Sequence, residues 1–582
     1  METACIPVKR AFLSIAVLLS VMSRPLEGFL GPRTIILPRS QSVNAARDLV
    51  GWQDEIHRYK PESNYWVFAF TPEYTHTFNN SHLVDQIFGS ECFTVTGSAV
   101  PYRKPNDLLA DYFELPRDYQ GTMSVSPFIS QFIADFNWFV GLDRICEGLF
   151  FIVHFPVVSS KWDVGFDECV SVAGIMEYPA GYYSDSAIPR TGLLRNMRQY
   201  LGHDRTVGDV QEPLEYQKVI GLTGRNVETG LSDVQGALGY DFARGERYHV
   251  GIEVRAYAPA GNRPNPRYLF NAVVGNGHHW ELGGGLTTHC CIWEDEIHSV
   301  LFYLDANVTH LFKSGSKRSF NIAGNCAGSR YMMMEEIAQY SDGLFIYGDY
   351  PATDQYIQRL TPAINITTRE VETSFAVQGD VALKFAIYRN NMSVDIGYNF
   401  WGRSHEKMNC FSGFEANRYA LKGDAQIYGF ENYSSYYPQA IPLSASQRCA
   451  TIFAGQGTGN FQPGLEFTNA NADNPTQAFG ASGDVLVQLE SDDAAALYLM
   501  QEPVMTSQPA IFLSCGDLDV NSVLVPTSLT SKVFINVGNT WRTKSLDPFF
   551  GIGAEVEWAH GSGFDRGGIC QWGVWSKMGL SY

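Results

Sequence analysis

The sequence predicts an all-β fold, a single transmembrane antiparallel β-barrel of about 14–16 strands with long external loops and short helical insertions. Three observations predict it. The first is the last stretch of chain, residues 570–582, where Tyr582, Leu580, Met578, Val574 and Trp572 fall on one face and Ser581, Gly579, Lys577, Gly573 and Gln571 on the other. Ser576 and Trp575 are the exceptions in an otherwise period-two pattern, which suits a strand with one face on lipid and one on water. The second is that the same two-faced pattern recurs in residues 248–258, 300–312 and 392–401. The third is compositional: no later segment reaches the run of ~18 apolar residues a membrane helix needs, yet 13% of the chain is aromatic, 54 residues are glycine and only 18% are charged.

The start of the chain has a different character. Lys9 and Arg10 precede an apolar run over residues 11–22, and polar residues return at Ser23, Arg24 and Glu27. A charged region followed by an apolar run too short to span a bilayer predicts a secretory signal peptide over residues 1–28. Residues 29–60 are expected as a periplasmic segment or partial plug, with a short helix starting at Ser42 or Asn44 and carrying Val43, Ala46 and Val50 at helical spacing. Residues 61–582 are then the barrel with its loops. Ten cysteines lie beyond Cys5, and an even number in an exported chain makes disulfides an expectation whose pairing spacing alone does not give. A net charge of −19 argues against a nucleic-acid partner, because no basic surface is evident to neutralise phosphates.

Strand-like runs begin at residues 64–71 and 92–98, and residues 106–116 read as a short helix or loop. Residues 124–135 and 148–156 are strand candidates around a Gly141-Leu142-Asp143 turn. Residues 190–236 are charged and glycine-punctuated, the character of a long external loop. In residues 248–258, Tyr248, Val250, Ile252, Val254 and Ala256 alternate with His249, Gly251, Glu253, Arg255 and Tyr257. Strand candidates follow at 268–274, 279–289 and 300–312. A second insertion spans 313–380, with a helical run expected over 331–337. A hairpin then turns at Arg389-Asn390-Asn391, since asparagine tolerates positive φ. Residues 418–430 are another candidate, residues 431–530 are expected as an external lobe, and strands at 533–542, 548–560 and 570–582 close the chain.

Collecting the polar rows gives His249, Glu253, Arg255, Asp305, Asn307, Lys384, Asp395, Glu555, Glu557 and Lys577 as expected lumen-lining residues. Buried without partners their charges would be very costly, and a water-filled lumen removes that cost. A mixed-charge lining with a carboxylate excess favours cations or neutral polar solutes. Tyr248, Tyr398, Phe400, Trp558, Trp572 and Tyr582 are expected on lipid or at its interface. No Gly-x-Ser-x-Gly or phosphate-cradling loop occurs, and the one His-x-Ser, at residues 560–562, lies in a glycine-rich turn, so no enzyme activity, cofactor or metal is expected. His278 and His279 near His289, Cys290 and Cys291 could bind a metal, but a turn histidine pair with no role is the expectation, since metal sites need convergent ligands that a sequence does not show.

The terminal strand ending on Tyr582 resembles the C-terminal signature of outer-membrane β-barrel proteins of Gram-negative-type bacteria. That resemblance implies the bacterial outer membrane as location, membrane lipid as surroundings and the barrel-assembly machinery as partner. Residues 251–259 and 275–283 also resemble segments of uncharacterised large barrels from intracellular, reduced-genome bacteria. Long-chain fatty-acid transporters are similar in barrel class, although their N-terminal hatch motif is not visible in residues 30–60. The expected function is a porin-like channel for small solutes. The alternatives are a surface adhesin or envelope-structural barrel and a transporter of hydrophobic substrates, with host or envelope proteins binding the loops near 190–236, 313–380 and 431–530.

Overall fold

A computed structural model describes residues 31–59, 64–202, 205–338, 345–346, 350–351, 356–425, 427–431, 439–442, 446–455, 510–561, 564 and 566–582. The expected signal peptide, and residues 456–509 of the expected external lobe, lie outside them. Twelve strands form a closed meander: β1 (Tyr65–Thr77), β2 (Phe128–Gly141), β3 (Leu149–Asp163), β4 (Val234–Gly245), β5 (Tyr248–Ala258), β6 (Glu281–Glu294), β7 (His298–Ser319), β8 (Thr368–Arg389), β9 (Met392–Arg403), β10 (Thr527–Thr540), β11 (Asp547–Ala559) and β12 (Gln571–Ser581). Each pairs antiparallel with the next, and β12 returns to β1 with Val67 opposite Ser581 and Thr77 opposite Gln571. No edge of this sheet is left open among the described residues, as a strand wall in lipid requires.

Alternation sets which side chains face out. On β5 Ile252 and Val254 are exposed while Glu253 and Arg255 are buried, and on β12 Val574, Met578 and Leu580 are exposed while Lys577 is buried. Apolar rows of this kind run around the wall through Phe132 and Trp138, Leu238 and Tyr240, Phe385 and Ile387, and Val533, Ile535 and Val537. In water such a girdle would be an aggregation surface, and in a bilayer it is the solvated one.

The two ends of the barrel differ. Strands β2 and β3, β4 and β5, β6 and β7, β8 and β9, and β10 and β11 are joined by short turns, the β8–β9 turn placing Asn390 at φ 52°. The opposite end carries the long connections 78–127, 164–233, 259–280, 320–367 and 404–526. Short turns on one side, long loops on the other and an even strand number in a single chain are the marks of a bacterial outer-membrane barrel, with the long loops extracellular. This protein is such a barrel, and its place is the bacterial outer membrane.

The strand count is twelve rather than 14–16 because several sequence candidates build an outer lobe instead of wall. Cys92–Thr96 pairs with Leu108–Leu109 and Gln120–Ser124, and Gln120–Ser124 with Asp167–Val172, in a separate sheet. Within 418–430, Tyr419–Leu421 joins Met333–Ile337 and Tyr356–Pro362 in another. Within 331–337 the chain is therefore strand over Met333–Ile337 rather than helix, with Tyr331 closing a short 3-10 turn. Met332, Met333 and Met334 are all buried in the lobe core, and the strand is buried on both faces, Glu335 included, so its period-two signal vanishes. Residues 268–274 form no strand, and the 313–380 insertion shrinks to 320–367 because β7 and β8 run for 22 residues each. Cys92, Cys146, Cys169, Cys290, Cys291, Cys326, Cys410, Cys515 and Cys570 are thiols rather than disulfides.

Candidate functional site

The barrel interior is occupied by the chain's own N-terminal segment. Thr34 donates its backbone N–H to Ser522 at the long-loop end, and Arg58 accepts Arg244 on its carbonyl beside Tyr65 and Tyr582 at the short-turn end, so residues 34–58 traverse the lumen. In its middle lies α1 (Ala45–Leu49), capped by Asn44, whose side-chain oxygen accepts the Arg47 N–H at 3.3 Å. This short helix is held by packing on every side. Ala46 and Val50 meet Phe534 and Trp575, Ala45 and Leu49 meet Tyr303, Ala382 and Ala386, and Val43 meets Tyr257 and Trp401. Trp575, the misfit in the polar row of β12, thus faces inward because it packs on the segment.

The polar contacts are ion pairs almost free of solvent. Arg47 lies 2.6 Å from Glu73 on β1 and 3.0 Å from Asp135 on β2, and its side chain is 1% exposed. Asp135 also meets His154 on β3. Arg39 reaches Asp380 at 2.5 Å and Glu557 at 3.4 Å. Lys532 sits 2.7 Å from Glu555 and 3.6 Å from Glu557. Lys384 pairs with Asp395 at 3.3 Å and donates to the Leu49 carbonyl at 2.8 Å, while Lys577 donates to the Arg47 carbonyl at 2.7 Å. Both lysines therefore close off the C-terminal carbonyls of α1, which the helix itself leaves unbonded. Asp380 and Asp395 in turn accept the backbone N–H groups of Ala45 and Gly51.

All ten residues read as lumen-lining lie on inward rows. His249 meets Thr287 and His289, Glu253 pairs with Arg255, and Arg255 lies 3.4 Å from the Asp305 carboxylate. Asn307, Lys384, Asp395, Glu555, Glu557 and Lys577 are buried. Their surroundings differ from the expected water column: His249, Glu253, Arg255, Asp305, Lys384, Asp395, Glu555, Glu557 and Lys577 face the internal segment or polar partners on the wall, and the carboxylates of β8, β9 and β11 are neutralised by Arg39, Lys384 and Lys532. Tyr248, Tyr398, Trp572 and Tyr582 are exposed, and Phe400 and Trp558 half-buried, on the outer side. Tyr582 stacks on Trp66 at the short-turn rim, where the lipid interface lies. Arg39, Arg47, Glu73, Asp135, Asp380 and Lys532 were not singled out in the sequence. Two signals existed for them, an arginine inside a short apolar helix and a tryptophan in a polar row.

Above the lumen the outer lobe encloses an apolar cavity of ≈ 100 Å³. Phe88, Phe93, Phe113, Met123, Phe166 and Leu269 line it, Arg330 supplies a charged group, and Pro32, two residues before the internal segment, completes the wall. Nearby, burial pushes the Glu114 carboxyl up to about 8, against the opposing pull of Arg205 and a hydrogen bond from the Val207 backbone. Burial likewise pushes the Lys422 ammonium down to about 8, opposed by Glu335, Asp424 and Asp111.

No family model matches the chain, and no curated protein matches it. Among solved structures it is similar to an outer membrane channel from Pseudomonas putida F1, at 7% identity over 90% of this chain and 98% of that one, with a TM-score of 0.29. It is also similar to a Pseudomonas aeruginosa FadL homologue, at 5% identity over 89% and 90% with a TM-score of 0.24. A third is the Pseudomonas putida toluene transporter TodX, at 7% identity over 96% and 98% with a TM-score of 0.22.

Proposed function

We propose that this protein passes small hydrophobic molecules across the outer membrane, with its lumen closed at rest by residues 34–58. The observation that carries this reading is the apolar cavity of the outer lobe, whose wall includes Pro32, two residues before the segment that fills the barrel. A cavity of about 150 Å³ lined by apolar side chains stays dry and takes benzene, so one of this size suits a molecule of only a few heavy atoms. An occupant there touches the chain leading into the segment, which offers a route from binding to displacement. A porin for small polar solutes is less well supported. It needs a continuous water column, and the charges that would line one are paired with the segment or with one another at 2.5–3.6 Å.

The test is binding of small apolar probes, xenon and cyclopropane, to the full barrel in lipid nanodiscs, read by ligand-observed NMR above the empty-nanodisc background. Saturable binding is expected, and Met123→Glu should weaken it at least about tenfold, because a carboxylate in the cavity must be desolvated. A folded barrel without saturable binding would refute hydrophobic uptake and favour a lobe that serves surface adhesion.

A further inference from the structure

At the short-turn end of the lumen, four side chains from four separate stretches converge. His57 comes from the internal segment, Asp241 from β4, His249 from β5 and His289 from β6. The His57 Nδ1 lies 2.9 Å from Asp241 Oδ2, and the His57 and His249 rings stack at 4.3 Å with 6° between their planes. One ligand atom each of His57, Asp241 and His249 fall within 4.8 Å of one another, and all three residues are buried. His289 stands directly across from His249 in the β5–β6 register and turns its Nδ1 onto the Nδ1 of His249.

Hydrogen bonding leaves this cluster incomplete. Asp241 Oδ1 is buried and has no hydrogen-bond partner. Two imidazole Nδ1 atoms facing each other can share one proton, one ring donating and the other accepting, and with no proton between them both present lone pairs. The guanidinium groups that could neutralise Asp241 are engaged elsewhere: Arg244 on Asp143 and Glu147, Arg58 on Glu55. The wall is shaped to match. A register shift between Val250 and Gly251 re-aims β4 against β5, and Gly251 lacks the Cβ that would collide with Asp241 Oδ1. Thr287 Oγ1 lies 3.2 Å from His249 Nε2, the outer hydrogen bond that orients a ligating imidazole. In the other buried carboxylate–histidine group, around Asp48, Asp135 and His154, the cation Arg47 already neutralises Asp135.

We propose that His57, Asp241, His249 and His289 form a binding site for a divalent transition-metal cation of the zinc class. Imidazoles and one carboxylate are the donor set such ions take, at ~2.0–2.1 Å in a tetrahedron whose ligand atoms lie ~3.3 Å apart. Small side-chain rotations bring the present group to that spacing. A divalent ion satisfies Asp241 Oδ1 and both facing Nδ1 atoms at once, which one proton cannot do. The ion would join the tail of the internal segment to three adjacent wall strands. Its effect on opening rests on the closed-lumen reading, whereas the site itself does not.

The test uses chelator-treated full-length barrel in detergent, titrated with Co²⁺ and then Zn²⁺. Expected are visible absorption bands of tetrahedral Co²⁺ at one ion per chain, displaced by Zn²⁺ and lost in His57→Gln and His249→Gln, with His278→Gln unchanged and heat-modifiable mobility retained throughout. Zinc should also protect His289 of the unaltered protein from diethylpyrocarbonate while exposed His310 reacts as before, a readout that stands if a variant fails to fold. Absence of Co²⁺ bands in the folded wild type, bands that persist in both histidine variants, or His289 modification indifferent to zinc would each overturn the site. None of these outcomes depends on whether hydrophobic molecules bind the outer lobe.

Discussion

Replacing Arg47 by methionine keeps most of the side chain's bulk and removes the charge between Glu73 and Asp135. Both carboxylates are fully buried and lie 2.6 and 3.0 Å from the guanidinium, so the variant strands Glu73 and leaves Asp135 with His154 alone. Removing one partner of a buried ion pair costs about 3–5 kcal/mol, because the remaining charge has lost its solvent and its partner together. At ~1.4 kcal/mol per factor of ten, the balance between seated and withdrawn segment shifts by about a hundredfold to a few thousandfold. Withdrawal lets water reach Glu73 and Asp135, which makes it the cheaper response than unfolding a hydrogen-bonded wall. In planar bilayers the wild type is therefore expected to be electrically quiet and Arg47→Met to show stepwise currents. Adding Glu73→Gln and Asp135→Asn should quiet the channel again, since no stranded charge remains. An Arg47→Met barrel that folds, stays silent and keeps wild-type resistance of residues 34–58 to protease would refute the claim that this pair holds the segment in place.

Trp575→Ala, which opens a cavity against Ala46 and Val50, should destabilise the packed interior by about 3–5 kcal/mol and lower the midpoint of heat-modifiable gel mobility. On intact cells an impermeant maleimide should label exposed Cys92 and Cys169 in the outer lobe and spare Cys146 in the β2–β3 turn; the reverse pattern would invert the barrel. Glu114 titrates near 8 when folded and near 4.5 when unfolded, so its contribution favours the folded lobe fully below about pH 4.5 and is lost as pH rises through 8. Glu114→Gln should accordingly flatten the difference in lobe proteolysis between pH 5 and pH 9, and an unchanged profile would remove Glu114 as its cause.

The wall was legible in the sequence because a strand's side-chain period is two whatever lies on either side of it. Once Val254 and Met578 face lipid, Arg255 and Lys577 have only the interior left, and the same holds for Lys384 and Asp395. Period two carries no information on what fills that interior. A carboxylate facing water and a carboxylate facing Arg47 produce the same row, so the lumen of Glu555 and Glu557 read as a cation-favouring pore. The strand count failed for a related reason: residues 92–98 and 418–430 have strand chemistry, but their partners lie in the lobe. Met333 and Met334 fell between templates, since a strand buried on both faces shows neither period. What could have broken the tie was Trp575. An indole of that size on an inward row cannot border a water column without a large exposed apolar surface, so its presence requires something apolar opposite. The chain supplies that in Ala46 and Val50, immediately before and three residues after the arginine that Glu73 and Asp135 hold. The inward charges therefore describe how the segment is held before they describe any selectivity, and a change in ion preference on mutating Glu555 or Glu557 would report loosened contacts to Lys532 and Arg39 as much as a pore lining.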